Sequence, residues 1–426
     1  MKKHILMLLA GACCASAATP AATTAATTKE DWTDAVKKAL VVYENKDGVL
    51  QKVRLAWVEM FQMSAVQPSG GNGAHLNAGA SPVNQEFRRS YLGVNLDFST
   101  GTKFHTWVRP GGLPVRETYS SGRTKKNYSY FSFYDIYVSQ TIPGVDGLTL
   151  TVGKMGTKLT TDYITSSSKI RCIERSLLSN QFAQDSNWGV DLTWKPNKDT
   201  QVFGQWMLND RASASKNMKN SDVYRDGRGF KGEFGYEDKC FAIVGASHRF
   251  NKTEDGYMEV SGQYMHDFNN AYGNRRAKGA NCYGMGFQDA VSLGFDYKKG
   301  RLTVINNVVA AFRPLGAPDK GSKNIGLQIQ PIWEVNKHVD AVFRYTGMEG
   351  SNAVRIAGDR FICTQTTTPT WVSHLHAFYF GANIYASAKN KDALKFMVGA
   401  EYTNAHKDGK AAFSGWAFQS SVRWSF

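Results

Sequence analysis

Beyond its N-terminus the chain has no long apolar run, and it is poor in proline (11 of 426 residues) and cysteine (6). It is also short of acid, with 36 Asp and Glu against 51 Lys and Arg, a formal charge of +15. Without a stretch of roughly 20 apolar residues, a helical membrane protein is excluded. Cysteines this few and this widely spaced make neither a disulfide scaffold nor a zinc motif. What the chain does have is 24 Phe, 19 Tyr, 10 Trp and 40 Gly. So many aromatics can bury a large core, which excludes wholesale disorder. The basic excess calls for an anionic partner: nucleic acid, a lipid surface or small anions.

Lys2 and Lys3 precede the apolar stretch Ile5 to Leu9, and an A-x-A site follows at Ala15-Ser16-Ala17. Residues 1–17 therefore read as a secretory signal peptide. Export removes chromosomal DNA from the list of partners. Residues 18–47 read as an Ala/Thr-rich linker followed by a short amphipathic segment, with Trp32, Val36, Leu40 and Tyr43 at near-helical spacing. Its place before the first strand suggests a periplasmic brace or cap. Cys172, Cys240, Cys282 and Cys363 are left as free or incidentally paired thiols.

From residue 48 onward the texture changes to period-2 alternation broken by turn residues. Near the C-terminus Trp416, Phe418, Val422, Trp424 and Phe426 share one face, and Ala417, Gln419, Ser421, Arg423 and Ser425 share the other. A strand with lipid on one side and water on the other needs this pattern. A sandwich strand, apolar inward, would look the same taken alone. The first eight such segments lie at 50–66, 86–98, 102–109, 130–140, 148–153, 187–195, 200–208 and 239–250. The other eight lie at 257–266, 287–298, 301–313, 324–334, 337–346, 375–387, 393–403 and 415–426. Short connections alternate with long ones at 67–85, 110–129, 154–186, 210–238, 267–286, 314–323, 347–374 and 404–414. A sandwich has no reason to segregate its long loops in this way. A 16-stranded antiparallel transmembrane β-barrel over residues 48–426 does, with short periplasmic turns and long extracellular loops.

A barrel of this size encloses an aqueous channel, and strand parity names the side chains that face it. Arg89, Tyr91, Asn95 and Asp97 face inward, as do Asp135, Tyr137, Asp191, Thr193 and Lys195. Farther on the same count gives Asp296, Lys298, Arg344, Lys395 and Glu401, together with Arg249, Arg301, Arg313 and Arg423. Arg249 lies on a strand that is apolar on both faces. Arg and Lys lining a pore select anions, and the planar guanidinium matches phosphate and carboxylate. Structural Arg–Asp pairs that brace the wall are the alternative. The third loop, 154–186, is the longest and carries Lys158, Arg171 and Arg175. It is expected to fold into the lumen and narrow it, packing on the rim being the other use.

Several of these residues also resemble a known family. Glu86-Phe87-Arg88-Arg89-Ser90-Tyr91-Leu92-Gly93-Val94 is similar to the F-R-R-x-x-L-G-V segment of the phosphate-selective porin O/P family. Leu150 to Lys154, Thr165-Ser166-Ser167 and Ile173-Glu174-Arg175-Ser176 resemble that family's V-G-x-F-K-x-P-F…T-S-S…E-R-S stretch. Where the family has F-K-x-P-F, this chain reads Met155-Gly156-Thr157-Lys158-Leu159. The resemblance implies a homotrimeric outer-membrane porin passing small anions such as phosphate or polyphosphate.

The resulting expectation is passive diffusion of anions through a water-filled channel. Arg89, Arg301, Arg313, Arg344 and Arg423 would line the lumen, with Lys158, Arg171 and Arg175 at the constriction. A weakly selective porin and a surface adhesin are the alternatives. No cofactor, metal, nucleic-acid partner or catalysis is expected. Ser166-Ser167-Ser168-Lys169 matches S-x-x-K without its companion elements. His374 and His376 are two possible ligands without a third.

Overall fold

The computed structural model describes residues 31–70, 75–76, 83–110, 115–118, 124–127, 131–182, 186–208, 240–253, 255–268, 286–315, 323–354, 366–367 and 372–426. Sixteen long strands meander around a closed barrel. The first eight are β1 (Leu50–Gly70), β2 (Val83–Phe98), β3 (Thr102–Pro110), β4 (Phe131–Thr141), β5 (Leu148–Met155), β6 (Asn187–Trp194), β7 (Thr200–Leu208) and β8 (Cys240–Phe250). The rest are β9 (Gly256–Asp267), β10 (Gly286–Lys299), β11 (Leu302–Leu315), β12 (Lys323–Asn336), β13 (Val339–Val354), β14 (Val372–Tyr385), β15 (Leu394–Lys407) and β16 (Lys410–Ser425). Each pairs antiparallel with its chain neighbour, and β16 pairs with β1 from Val58↔Ser425 to Gly70↔Ser414. Closure leaves no sheet edge for lipid to desolvate.

The outer face is apolar where parity requires it. Leu192, Trp194, Val202, Trp206, Val244, Leu293, Trp333, Phe380 and Phe418 are all exposed there. Among the described residues no helix is long and apolar enough to cross a membrane. Most strands run one to four residues beyond their expected ends, and β13 runs eight. Main-chain pairing continues past the apolar belt that marks a strand in sequence.

One expected loop is absent. The eighth long connection, 404–414, is a tight hairpin in which only Asp408 and Gly409 leave the strands, both at positive φ (50° and 75°). Asp-Gly is the dipeptide that a two-residue turn of this handedness requires. The second long loop, by contrast, contains a hairpin of its own, Val115–Thr118 with Thr124–Asn127.

Residues ahead of β1 pack at the short-turn end. Helix α1 (Trp32–Ala39) starts at Asp31, whose side chain accepts the Thr33 N–H at 2.8 Å. Thr33 Oγ1 (2.6 Å), Ser387 Oγ (2.7 Å) and that N–H together hold the Asp31 carboxyl down at about 2. Asp34 pairs with Lys389 at 2.6 Å, and the Trp32 ring meets Phe426 edge-on at 5.9 Å. The strand Val41–Glu44 then pairs with the foot of β1, the seventeenth strand of the sheet. The segment thus straps the turn between β14 and β15 to the seam where β16 meets β1.

Candidate functional site

The third loop (L3) occupies the lumen, and its chemistry follows from two unlike stretches. It carries two short helices, α2 (Thr161–Ile164) before its tip and α3 (Leu177–Phe182) after it. Leu159, Leu177, Leu178 and Phe182 are fully buried, or nearly so, against inward-facing Phe203, Met207, Phe241, Ile243, Met265, Val309 and Phe413. Burial of each such side chain contributes about 1.5–3 kcal/mol. The lumen is therefore not polar throughout, as parity alone had implied. One arc of its wall is a hydrophobic dock for L3. Strand β8 is apolar on both faces because Phe241 and Ile243 serve that dock while Val244 faces outward. Gly326 in β12 has no side chain because Leu178 fills the space a Cβ would need.

The tip of L3 is held by charge. Lys395 Nζ donates to the carbonyls of Ser168 (2.6 Å) and Ile170 (3.1 Å). Arg423 donates to the carbonyls of Ser167 (3.4 Å) and Ile173. Arg344 donates to the Glu174 carbonyl at 2.8 Å and pairs with Glu401 at 2.7 Å. Asn383 Nδ2 donates to the Arg171 carbonyl at 2.9 Å. Arg171 itself reaches Asp392 and the Tyr385 hydroxyl, both at 3.2 Å. Arg175 turns back into the loop, donating to the Asp162 carbonyl at 2.9 Å and lying over the Tyr163 ring. The Asp162 carboxylate accepts the Ser176 N–H at 2.8 Å. Cys172, a free thiol, is buried beside Gln330, and that burial pushes it up to about 12.

These positions revise the expected roles of the arginines. Arg89, Arg344 and Arg423 do face inward, but they are 4%, 3% and 1% exposed. Their guanidinium groups are turned toward protein rather than toward open water. Arg344 and Arg423 hold L3, and Arg89 packs beneath it with its guanidinium 3.6 Å from Met60 Sδ. Burying these cations takes hydrogen bonds that water would otherwise supply, and the free carbonyls of an irregular loop provide them. Arg171 and Arg175 are likewise engaged, Arg171 with Asp392 and Tyr385 and Arg175 within L3 itself. Lys158 stands at the entry of L3, paired with Asp191 at 2.8 Å and near Thr193 Oγ1 at 2.9 Å. Arg301 is exposed at the short turn between β10 and β11. The side chain of Arg313 lies outside the described residues, as do Cys282 and Cys363.

Strict alternation also missed Arg88. The β1–β2 register slips between Met60↔Arg89 and Phe61↔Phe87, a bulge that leaves Arg88 unopposed. A bulge turns two successive side chains to one face. Arg88 thus reaches into the lumen beside Arg89 and meets Glu174 at 2.6 Å. The same device in β4, between Asp135 and Phe133, turns Tyr134 inward to stack on Tyr91 at 4.6 Å. A consecutive pair of cations at a strand centre was the available signal.

The serines of the S-x-x-K match lie at the L3 tip, with Ser166 and Ser168 hydroxyls 3.1 Å apart. His374 and His376 lie on the outward face of β14, and His376 stacks on Tyr345. Among the described residues no group of three or more His, Cys, Asp or Glu could hold a metal.

Comparison with known proteins agrees with this architecture. Residues 69–232, which include the F-R-R, T-S-S and E-R-S segments quoted above, match the family model of phosphate-selective porin O and P. No curated protein matches the chain. Among solved structures, the anion-selective porin from Comamonas acidovorans matches with a TM-score of 0.52 at 11% identity, covering 88% of this chain and 99% of that one. OprB of Pseudomonas putida gives 0.53 at 10% identity, over 88% and 94%. The outer-membrane channel DcaP of Acinetobacter baumannii gives 0.51 at 11%, over 90% and 99%. The chain is an outer-membrane porin, a closed 16-stranded barrel that matches the phosphate-selective porin O and P family over residues 69–232.

Proposed function

We propose that this porin conducts small anions by passive diffusion and that its selectivity comes from a different set of cations than strand parity suggests. The observation that carries this reading is the charge left over after pairing. On the inward face and at the short-turn mouth, Lys158 with Asp191, Arg249 with Glu259, Arg344 with Glu401 and Lys391 with Asp340 cancel one another. Arg54, Lys103, Lys169, Lys195, Lys298 and Arg301 are exposed and make no ion pair among the described residues. Against them stand Asp97 and Asp296 on the strand faces, Glu334, which shares Lys391 with Asp340, and the turn acids Asp146 and Asp255. Fixed positive charge that still faces water attracts anions and binds them weakly enough to release them. A homotrimer in outer-membrane lipid is the assembly that the sequence resemblance supports.

Phosphate is expected to pass as one small anion among others. The arginines of the F-R-R motif are engaged with Glu174 and Met60, which argues against strong phosphate binding at that motif. A weakly selective channel is the second reading, favoured by the number of lumenal charges already paired. The deciding measurement is the reversal potential of the reconstituted barrel in a KCl gradient. A clear preference for chloride is expected, and equal permeability of both ions establishes the second reading. Phosphate titrated against the chloride current should not block at millimolar concentration; block there restores phosphate specificity. Catalysis has no part in the proposal.

A further inference from the structure

Strands β9–β13 and the inner face of the L3 tip enclose a cavity of about 410 Å³, rimmed at the short-turn end by Gly300 and Arg301. Most of its charges are already matched. Lys391 holds Glu334 at 2.7 Å and Asp340 at 2.9 Å, Arg171 holds Asp392, and Asp162 takes the Ser176 N–H. Glu259 lies opposite Asp296 in the β9–β10 register and is held by Arg249 at 2.5 Å.

Four lining charges remain: Asp296, Lys169, Lys298 and Arg301. None has a hydrogen-bond or ion-pair partner among the described residues, and one Asp296 oxygen is both out of water and unbonded. The four are ordered along the barrel. Asp296 is the deepest, Lys298 lies two residues nearer the mouth on the same strand face, and Arg301 stands in the turn. Lys169 faces them from L3.

This order discriminates between solutes. A simple anion drawn in by the three bases meets Asp296 with Glu259 beside it. A simple cation must pass three bases to reach that acid. A solute with one ammonium group and two carboxylates offers a partner to each of these four side chains: its ammonium to the acid and its carboxylates to the bases. Charge-assisted hydrogen bonds of this kind are the strong ones. We propose that the cavity is a binding site for acidic amino acids, with the ammonium group toward Asp296 and the carboxylates toward Lys298, Arg301 and Lys169. The proposal rests on the channel reading above only for the solute's access.

The test compares L-glutamate with glutarate, which has the same two carboxylates and no ammonium group. Each is titrated against the current through the full barrel in a planar bilayer. Glutamate is expected to produce current block at about tenfold lower concentration than glutarate, the effect of one charge-assisted contact. Asp296→Asn should abolish that advantage, whereas Arg301→Gln should weaken both solutes and leave their ratio unchanged. Equal potency in the unaltered barrel, including no block by either, overturns the proposal, as does an advantage that survives Asp296→Asn. The unaltered comparison decides even if the variant fails to assemble. The reversal potential separates the two readings. A barrel without anion preference that still favours glutamate loses the selectivity and keeps the site, and the opposite result loses the site alone.

Discussion

Positive charge is handled differently on the two sides of the lumen. Along β13–β16 and the adjoining β1 and β2, Arg88, Arg89, Arg344, Lys395 and Arg423 are withdrawn from water and mostly directed at L3. On the remaining wall Lys103, Lys195 and Lys298, and at the short-turn foot of β1 Arg54, stay wet and without an ion pair among the described residues. Their residue types and inward parity are the same, so neither feature tells an anchor from a solute contact. The difference lies in what each faces. A loop lying against the wall brings bare carbonyls that need donors, and an open wall brings only water.

The comparison is broken most forcefully at Arg344. Arg344→Leu leaves Glu401 buried and alone, which should cost about 3–5 kcal/mol and release the L3 tip. A higher single-channel conductance and new protease cleavage within 158–175 would report it. Arg344→Leu combined with Glu401→Leu should restore much of the loss, because no buried charge is then stranded. Next in size is Gly326→Val, which drives a side chain into the place of Leu178 and should cost about 1–3 kcal/mol through overpacking. The same cleavage assay should detect it without any change of charge.

The wet side is sharpened by Arg54→Gln with Lys103→Gln. These changes should shift the reversal potential toward cations while leaving L3 protected, whereas Arg423→Gln should do the reverse. Lys158→Gln should have a smaller effect, roughly 1 kcal/mol or less, because its side chain is 27% exposed and well screened. The smallest effect belongs to Asp31. Its carboxyl is held below the ordinary carboxylate value, so its contribution is present above about pH 4 and is lost as the pH falls through about 2. Hydrogen exchange over residues 32–44 should quicken across that window, and Asp31→Asn should remove the pH dependence.

The barrel was legible from residue types because lipid imposes the simplest rule a strand can obey. All sixteen strands lie where alternation places them. Among the described side chains, parity and the observed faces agree except where the bulges at Arg88 and Tyr134 reset the count. The interior was less legible, since alternation specifies a face and not what lies against it. Apolar residues at inward positions, such as Phe203, Met207 and Val309, and above all Phe241 to Val244, apolar on both faces, were the trace of the dock beneath L3. Asp408-Gly409 announced a hairpin, but polar neighbours such as Asn404 and Lys407 read as loop. The anchoring carbonyls of Ser168, Ile170 and Ile173 leave no trace at all, because a main chain carries no residue code.

The position of L3 also bears on the order in which the molecule can be built. The loop precedes its anchors in the chain, and its bonds to Arg344 and Arg423 span 170 and 250 residues. The hydrophobic dock on β7–β11 is available earlier, but the tip carbonyls have no cation to grip until the last four strands are in place. The turn between β14 and β15 then receives the loop from within, through Asp392, and the N-terminal helix from outside, through Ser387 and Lys389. A barrel that has not closed is therefore also unplugged and unstrapped, and one late hairpin completes all three steps.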